Sequence, residues 1–98
     1  AKGARILNNS WGGGGFSSAL AAAIERARQA NILFVAAAGN EARDTDASPS
    51  YPAGYDIANV ISVAALDRRD ALAGFSNFGR STVDLGAPGV DIFSSVAS

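Results

Sequence analysis

Asn40 ends a run of small apolar residues, Ile32-Leu33-Phe34-Val35-Ala36-Ala37-Ala38-Gly39. Its side-chain amide can donate two hydrogen bonds, and the preceding glycine permits a backbone turn that other residues resist. A donor at the carboxyl end of a buried strand sits where open α/β sheets bind ligands. There it can stabilise the oxyanion that develops in acyl transfer. The plainer alternative is an asparagine that caps a turn, because Gly-Asn is common turn chemistry. Ser10 and Ser76 invite a nucleophile reading, but neither completes Gly-x-Ser-x-Gly: Asn8 replaces the first glycine and Phe78 the last. The chain has no histidine, so neither serine has the usual base. It has no cysteine, which excludes disulfides and thiol chemistry. Asp44, Asp46, Asp56 and Asp84 lie in or beside loops, either as solvated acids or as oxygen ligands for a hard cation, without EF-hand spacing.

These groups need a scaffold. Ala4-Arg5-Ile6-Leu7-Asn8 reads as a short strand, and 9–15 as a glycine-dense turn. Ser17 or Ser18 can cap a helix in which Phe16, Leu20, Ala23, Ile24 and Ala27 form an apolar stripe. Glu25 shares a face with Arg28, and Asn31 ends the helix. Ile32 to Ala37 then reads as a strand apolar on both faces, as in a parallel sheet covered on each side. Strand, helix and strand make a βαβ unit. Residues 41–59 form a long polar loop in which Tyr51-Pro52 is a candidate cis bond. Val60 to Ala64 is a further buried strand, followed by a hairpin-like excursion around Asp67-Arg68-Arg69-Asp70. Thr82–Leu85 and Asp91–Ser94 are expected as short strands around Gly86-Ala87-Pro88-Gly89.

Composition narrows the function classes. With 98 residues, 48% hydrophobic and 17% charged, the chain suits one globular domain. A net charge of -1 and no basic run argue against nucleic acid as a partner. No apolar stretch reaches the roughly 20 residues of a membrane span. Gly12-Gly13-Gly14-Gly15 precedes a helix, yet neither G-x-G-x-x-G nor G-x-x-x-x-G-K-[ST] is present, which disfavours a nucleotide-binding domain. The start, Ala1-Lys2-Gly3-Ala4-Arg5, lacks the features of a signal peptide, and the expectation is a piece from within a longer chain.

Five motifs in one order carry a resemblance. Asn9-Ser10-Trp11-Gly12-Gly13, Val35-Ala36-Ala37-Ala38-Gly39-Asn40-Glu41, Tyr51-Pro52-Ala53, Phe75-Ser76-Asn77-Phe78-Gly79 and Ala87-Pro88-Gly89 resemble segments of the subtilisin-like serine proteases, from about Arg5 to Ser94. The resemblance implies an α/β fold, a partial three-layer domain with a mostly parallel sheet, in which 1–98 is an internal segment of the catalytic domain. It implies that Asn40 is an oxyanion donor. It also implies that Ser10, Trp11 and Gly12 pair with an extended peptide by strand addition. Ala37, Ala38 and Gly39 would form the opposite pocket wall, with Glu41 at its rim. Ala53, Tyr55 and Asp84 could correspond to a structural cation site, of calcium or another cation; no cofactor is otherwise required. The family's Asp, His and Ser triad falls outside the segment. The expectation is therefore a serine endopeptidase whose isolated segment is inactive and depends on the rest of its domain or on self-association. An extracellular location follows by resemblance. The rival is a catalytically dead module that holds peptides without cleaving them.

Overall fold

The structure is a computed structural model that describes residues 3–95. Strands β1 (Ile6–Asn9), β2 (Leu33–Ala37), β3 (Val60–Leu66) and β4 (Leu85–Pro88) form one sheet in the order β1-β2-β3-β4. Every neighbouring pair is parallel. Helix α1 (Ser18–Gln29) joins β1 to β2, giving the expected βαβ unit.

Local chemistry sets the ends of α1. Ser17 is the N-cap, its Oγ accepting from Leu20 N at 3.2 Å. The Tyr55 hydroxyl accepts from Ser17 N at 2.9 Å and donates to Ser17 O at 3.2 Å, so a distant loop fixes the helix start. At the other end Asn31 takes φ 60°. Ile32 N donates to Ala27 O at 2.9 Å and Asn31 N to Arg28 O at 3.0 Å, the paired bonds of a Schellman motif. Asn59 then ties this turn to the sheet, donating from Nδ2 to Ile32 O at 2.9 Å and to Ile24 O at 3.3 Å. Glu25 and Arg28 pair on the outer face.

Ile24 of α1 packs with Phe34, Ala36, Ala53 and Tyr55, and Leu20 joins them from the helix. In β2 the pleat is plain: Phe34 and Ala36 are buried, whereas Leu33 and Ala37 are exposed. The expectation that β2 is covered on both faces is therefore met on one face. Among the described residues α1 and the loop after β2 cover that face, and the other stays open, so two of three layers are present. Phe16 also departs from the expected stripe. It precedes α1, is 65% exposed, and packs edge-on against Tyr51 at 5.7 Å between ring centroids.

β4 corrects another expectation. The strand is Leu85–Pro88 itself, and no strand forms over 91–94. Parallel pairing with Val63–Leu66 decides this, because Gly86 lets the Leu66 side chain approach: a Cβ there would lie 2.9 Å from Leu66 Cδ2. Pro88 is tolerated at the end of an edge strand. The excursion after β3 does close as a hairpin, with an antiparallel bridge Leu66↔Leu72 and Asp67 Oδ1 accepting from Arg69 N and Ala71 N. The 41–59 loop is more ordered than its polarity suggests. Thr45, Ser50 and Asn59 are buried in it, and the Tyr51–Pro52 bond is cis.

Candidate active site

The register of β1 on β2 sets Asn9 beside Ala36, so Ser10 and Ala37 leave the sheet as neighbours. Their continuations diverge and enclose a cleft of about 150 Å³. Ser10, Trp11, Gly12 and Gly13 line one side; Ala37, Gly39, Asn40 and Glu41 line the other. A second cleft, of about 330 Å³, runs from Ser10 and Asn40 across the open face to Ala87, Pro88 and Gly89. Ala38 borders the second cleft and not the first, and is buried.

The Ser10 side is lightly held. Trp11 is 52% exposed. Its Nε1 donates to Asn9 Oδ1 at 3.2 Å, and Asn9 Nδ2 donates to Leu7 O at 3.1 Å. The glycines that follow are exposed, and Gly14 meets the loop through a bridge to Tyr51. Ser10 is exposed, with no histidine anywhere to activate it.

The Asn40 side is tightly held. Gly39 has φ +113°, and Ala42 sits at φ 52°, a left-handed conformation that costs a side-chain-bearing residue roughly 1–2 kcal/mol. Bonds from a second segment hold this geometry. Ala42 N donates to Phe75 O at 3.0 Å, Asn77 N to Gly39 O at 2.8 Å, and Phe78 N to Arg43 O at 3.0 Å. The side chain of Asn77 sits inside the loop. Its Oδ1 accepts from Glu41 N at 3.0 Å and Arg43 N at 3.1 Å. Its Nδ2 donates to Ala38 O at 2.8 Å and Glu41 Oε1 at 2.9 Å. Farther along, Thr45 Oγ1 donates to Phe78 O at 3.0 Å, and the Asp46 carboxylate accepts from Ser81 N, Thr82 N and the Thr82 hydroxyl.

Asn40 is exposed at the cleft, and among the described residues its side-chain amide has no hydrogen-bond partner. Its backbone N donates to Glu41 Oε2 at 3.2 Å. The Glu41 carboxylate is thus folded onto its own loop. The Asn77 amide, then the Asn40 N–H, hold it below the usual carboxylate range. The Thr82 hydroxyl and the Ser81 N–H do the same for Asp46. The arrangement leaves a polar donor free at the lip of a cleft whose far wall offers exposed backbone.

Ala53, Tyr55 and Asp84 share a third cleft, of about 430 Å³, with Asp56 and Thr82. Asp84 Oδ2 accepts from Ser62 N at 2.8 Å. No group of three His, Cys, Asp or Glu gathers there or elsewhere among the described residues. A cation in this cleft would rely on backbone carbonyls with one or two carboxylates, a donor set that suits a hard ion.

A free amide thus stands at the carboxyl ends of β1 and β2, beside the cleft between them. The model of the subtilase family, peptidase S8, matches residues 1–98. The chain belongs to the subtilase family. Subtilisin-like protease 2 of Plasmodium falciparum (isolate 3D7) is 38% identical over 97 residues, covering 95% of this chain and 7% of that protein. Fervidolysin of Fervidobacterium pennivorans is 44% identical over 98 residues, covering 96% of the chain and 13% of its own length. The crystal structure of the psychrophilic subtilisin-like protease Apa1 from Pseudoalteromonas sp. AS-11 superposes with a TM-score of 0.77 at 36% identity, over 90% of this chain and 19% of Apa1. The subtilase segment described here thus spans a small part of the relatives it matches. The parallel sheet belongs to the same fold as those proteases.

Of the site residues read from sequence, Ser10, Trp11, Gly12, Ala37, Gly39, Asn40 and Glu41 meet around one cleft. Sequence reasoning gave Asn77 no role. An asparagine between Ser76 and Phe78 signals no contact with a loop 36 residues away. No helix among the described residues is long and apolar enough to cross a membrane.

Proposed function

We propose that this chain supplies an oxyanion donor and a substrate-binding wall to a serine endopeptidase that cleaves polypeptides by acyl-enzyme chemistry. Asn40 is the donor: its amide points its N–H groups at the carbonyl oxygen as that oxygen becomes tetrahedral and anionic. Ser10, Trp11 and Gly12 pair with the extended substrate, and Ala37, Ala38, Gly39 and Glu41 shape the pocket opposite. The free Asn40 amide at the junction of the two walls carries this reading. Nucleophile and base come from other parts of the protease domain, since no histidine is present here. The 98-residue chain alone is accordingly inactive, and its open sheet face is covered by the remainder of the domain or, in isolation, by self-association. A calcium or similar ion held by the Ala53 and Tyr55 carbonyls and by Asp84 would brace the loop after β2. The setting is extracellular.

The test is Asn40→Ala in the full-length protease. Loss of one oxyanion donor is expected to lower kcat by roughly 10²–10³-fold while KM changes little. An unchanged kcat overturns the assignment.

A further inference from the structure

Asn77 is 0% exposed, yet its amide makes four hydrogen bonds, all to residues 38–43. Its backbone N adds a fifth, to Gly39 O. These bonds fall on Ala38, Gly39, Glu41 and Arg43, on both sides of Asn40 in sequence, while Asn40's own amide is left unbound. The contact is close: a Cβ on Gly39 would lie 2.3 Å from Asn77 Nδ2. Glu41 extends the clasp, one carboxylate oxygen accepting from Asn77 and the other from Asn40 N. Ser76 braces it from behind, with Oγ accepting from Ala65 N and donating to Asn77 O, both at 2.9 Å. The buried side chains of Asn77 and Ser76 thus link the loop to β3, beside the backbone bond from Ala38 N to Val63 O.

We infer that Asn77 is the positioning residue for Asn40: its amide, relayed by the Glu41 carboxylate to the Asn40 backbone N–H, fixes the backbone from which the Asn40 side-chain amide projects into the cleft. The inference rests on the reading of Asn40 as the oxyanion donor. The amide's orientation is determined by its surroundings, since two N–H groups face Oδ1 and two acceptors face Nδ2. An aspartate of the same shape would set an oxygen against Ala38 O and the Glu41 carboxylate. The loop would move to relieve that repulsion, and Asn40 would move with it. Displacements on the order of 1 Å at a reacting centre cost about 10²-fold in rate.

The experiment uses the full-length protease, with active sites counted by a serine-directed fluorophosphonate and kcat expressed per counted site. Asn77→Asp is expected to lower kcat roughly 10–100-fold with KM nearly unchanged. In an Asn40→Ala background the same substitution is expected to have no further effect, because the group it positions is gone. Adding Glu41→Gln to Asn77→Asp restores a donor between positions 41 and 77 and is expected to recover part of kcat. Should Asn77→Asp fail to accumulate, Glu41→Gln alone serves: it can satisfy one of its two donors, and a smaller fall in kcat that vanishes with Asn40→Ala supports the clasp. Full kcat in the folded variants, or a fall that multiplies with that of Asn40→Ala, overturns the inference. If Asn40→Ala itself leaves kcat unchanged, it is the oxyanion reading that fails.

Discussion

Two segments, 38–46 and 10–15, meet at one cleft through Gly39, Asn40 and Glu41 on one side and Ser10 to Gly13 on the other, and they are held in different ways. The first segment is tied to residues 75–82 by the buried Asn77 amide, the Asp46 carboxylate and backbone bonds at Ala42, Thr45 and Phe78. The second follows β1 through exposed glycines, with Trp11 on Asn9 and one bridge to Tyr51 as its anchors. A group that must meet a developing charge gains from fixed geometry. Under the proposed function, residues 10–12 receive differing peptides, for which an adaptable backbone is an advantage. The difference predicts where substitutions hurt.

The largest effect is expected at Gly39. Gly39→Ala sets a methyl against Asn77 and forces alanine into φ +113°. Strain and the loss of buried hydrogen bonds together should destabilise the full-length protein by roughly 2–5 kcal/mol, read from urea unfolding. A loss comparable to an ordinary surface substitution would mean the Asn40 side is not rigid.

A second, smaller effect is tied to pH. Glu41 and Asp46 both titrate below the usual carboxylate range in the folded chain, through bonds from Asn77 and Asn40 and from Thr82 and Ser81. A depressed carboxylate pKa gives stability that is present above the unfolded value, about pH 4, and is lost as pH falls through the lower folded value. Protection against amide exchange, taken relative to the intrinsic rate at each pH, should therefore fall in acid for residues 38–46 and stay unchanged for 10–15. Asp46→Asn should flatten part of that acid response. Equal acid responses on both sides would break the contrast.

The smallest effect is expected at Gly14, where a Cβ meets nothing within 4 Å and φ is not left-handed. Gly14→Ala should change stability by no more than about 0.5 kcal/mol. Gly39 lines the cleft and Gly14 follows the two glycines of its opposite wall, so the pair of substitutions contrasts the two segments.

Much of this was legible in the chain. The small-residue run into Gly39-Asn40, the serine cap of α1 and the Asp67 hairpin are local patterns. Their chemistry acts over a few residues, so it is legible without coordinates. Motif order pointed to the fold and to most of the residues that meet at the cleft. The remainder is non-local. Leu85–Pro88 became a strand because β3 offered a parallel edge, although Gly86 and Pro88 read as a turn. Trp11 proved exposed, outside the cluster that Ile24, Phe34, Ala36, Ala53 and Tyr55 form. Asn77 gained its role because the fold brings 75–82 against 38–46. A buried amide takes its meaning from the donors and acceptors around it, and those came from another part of the chain.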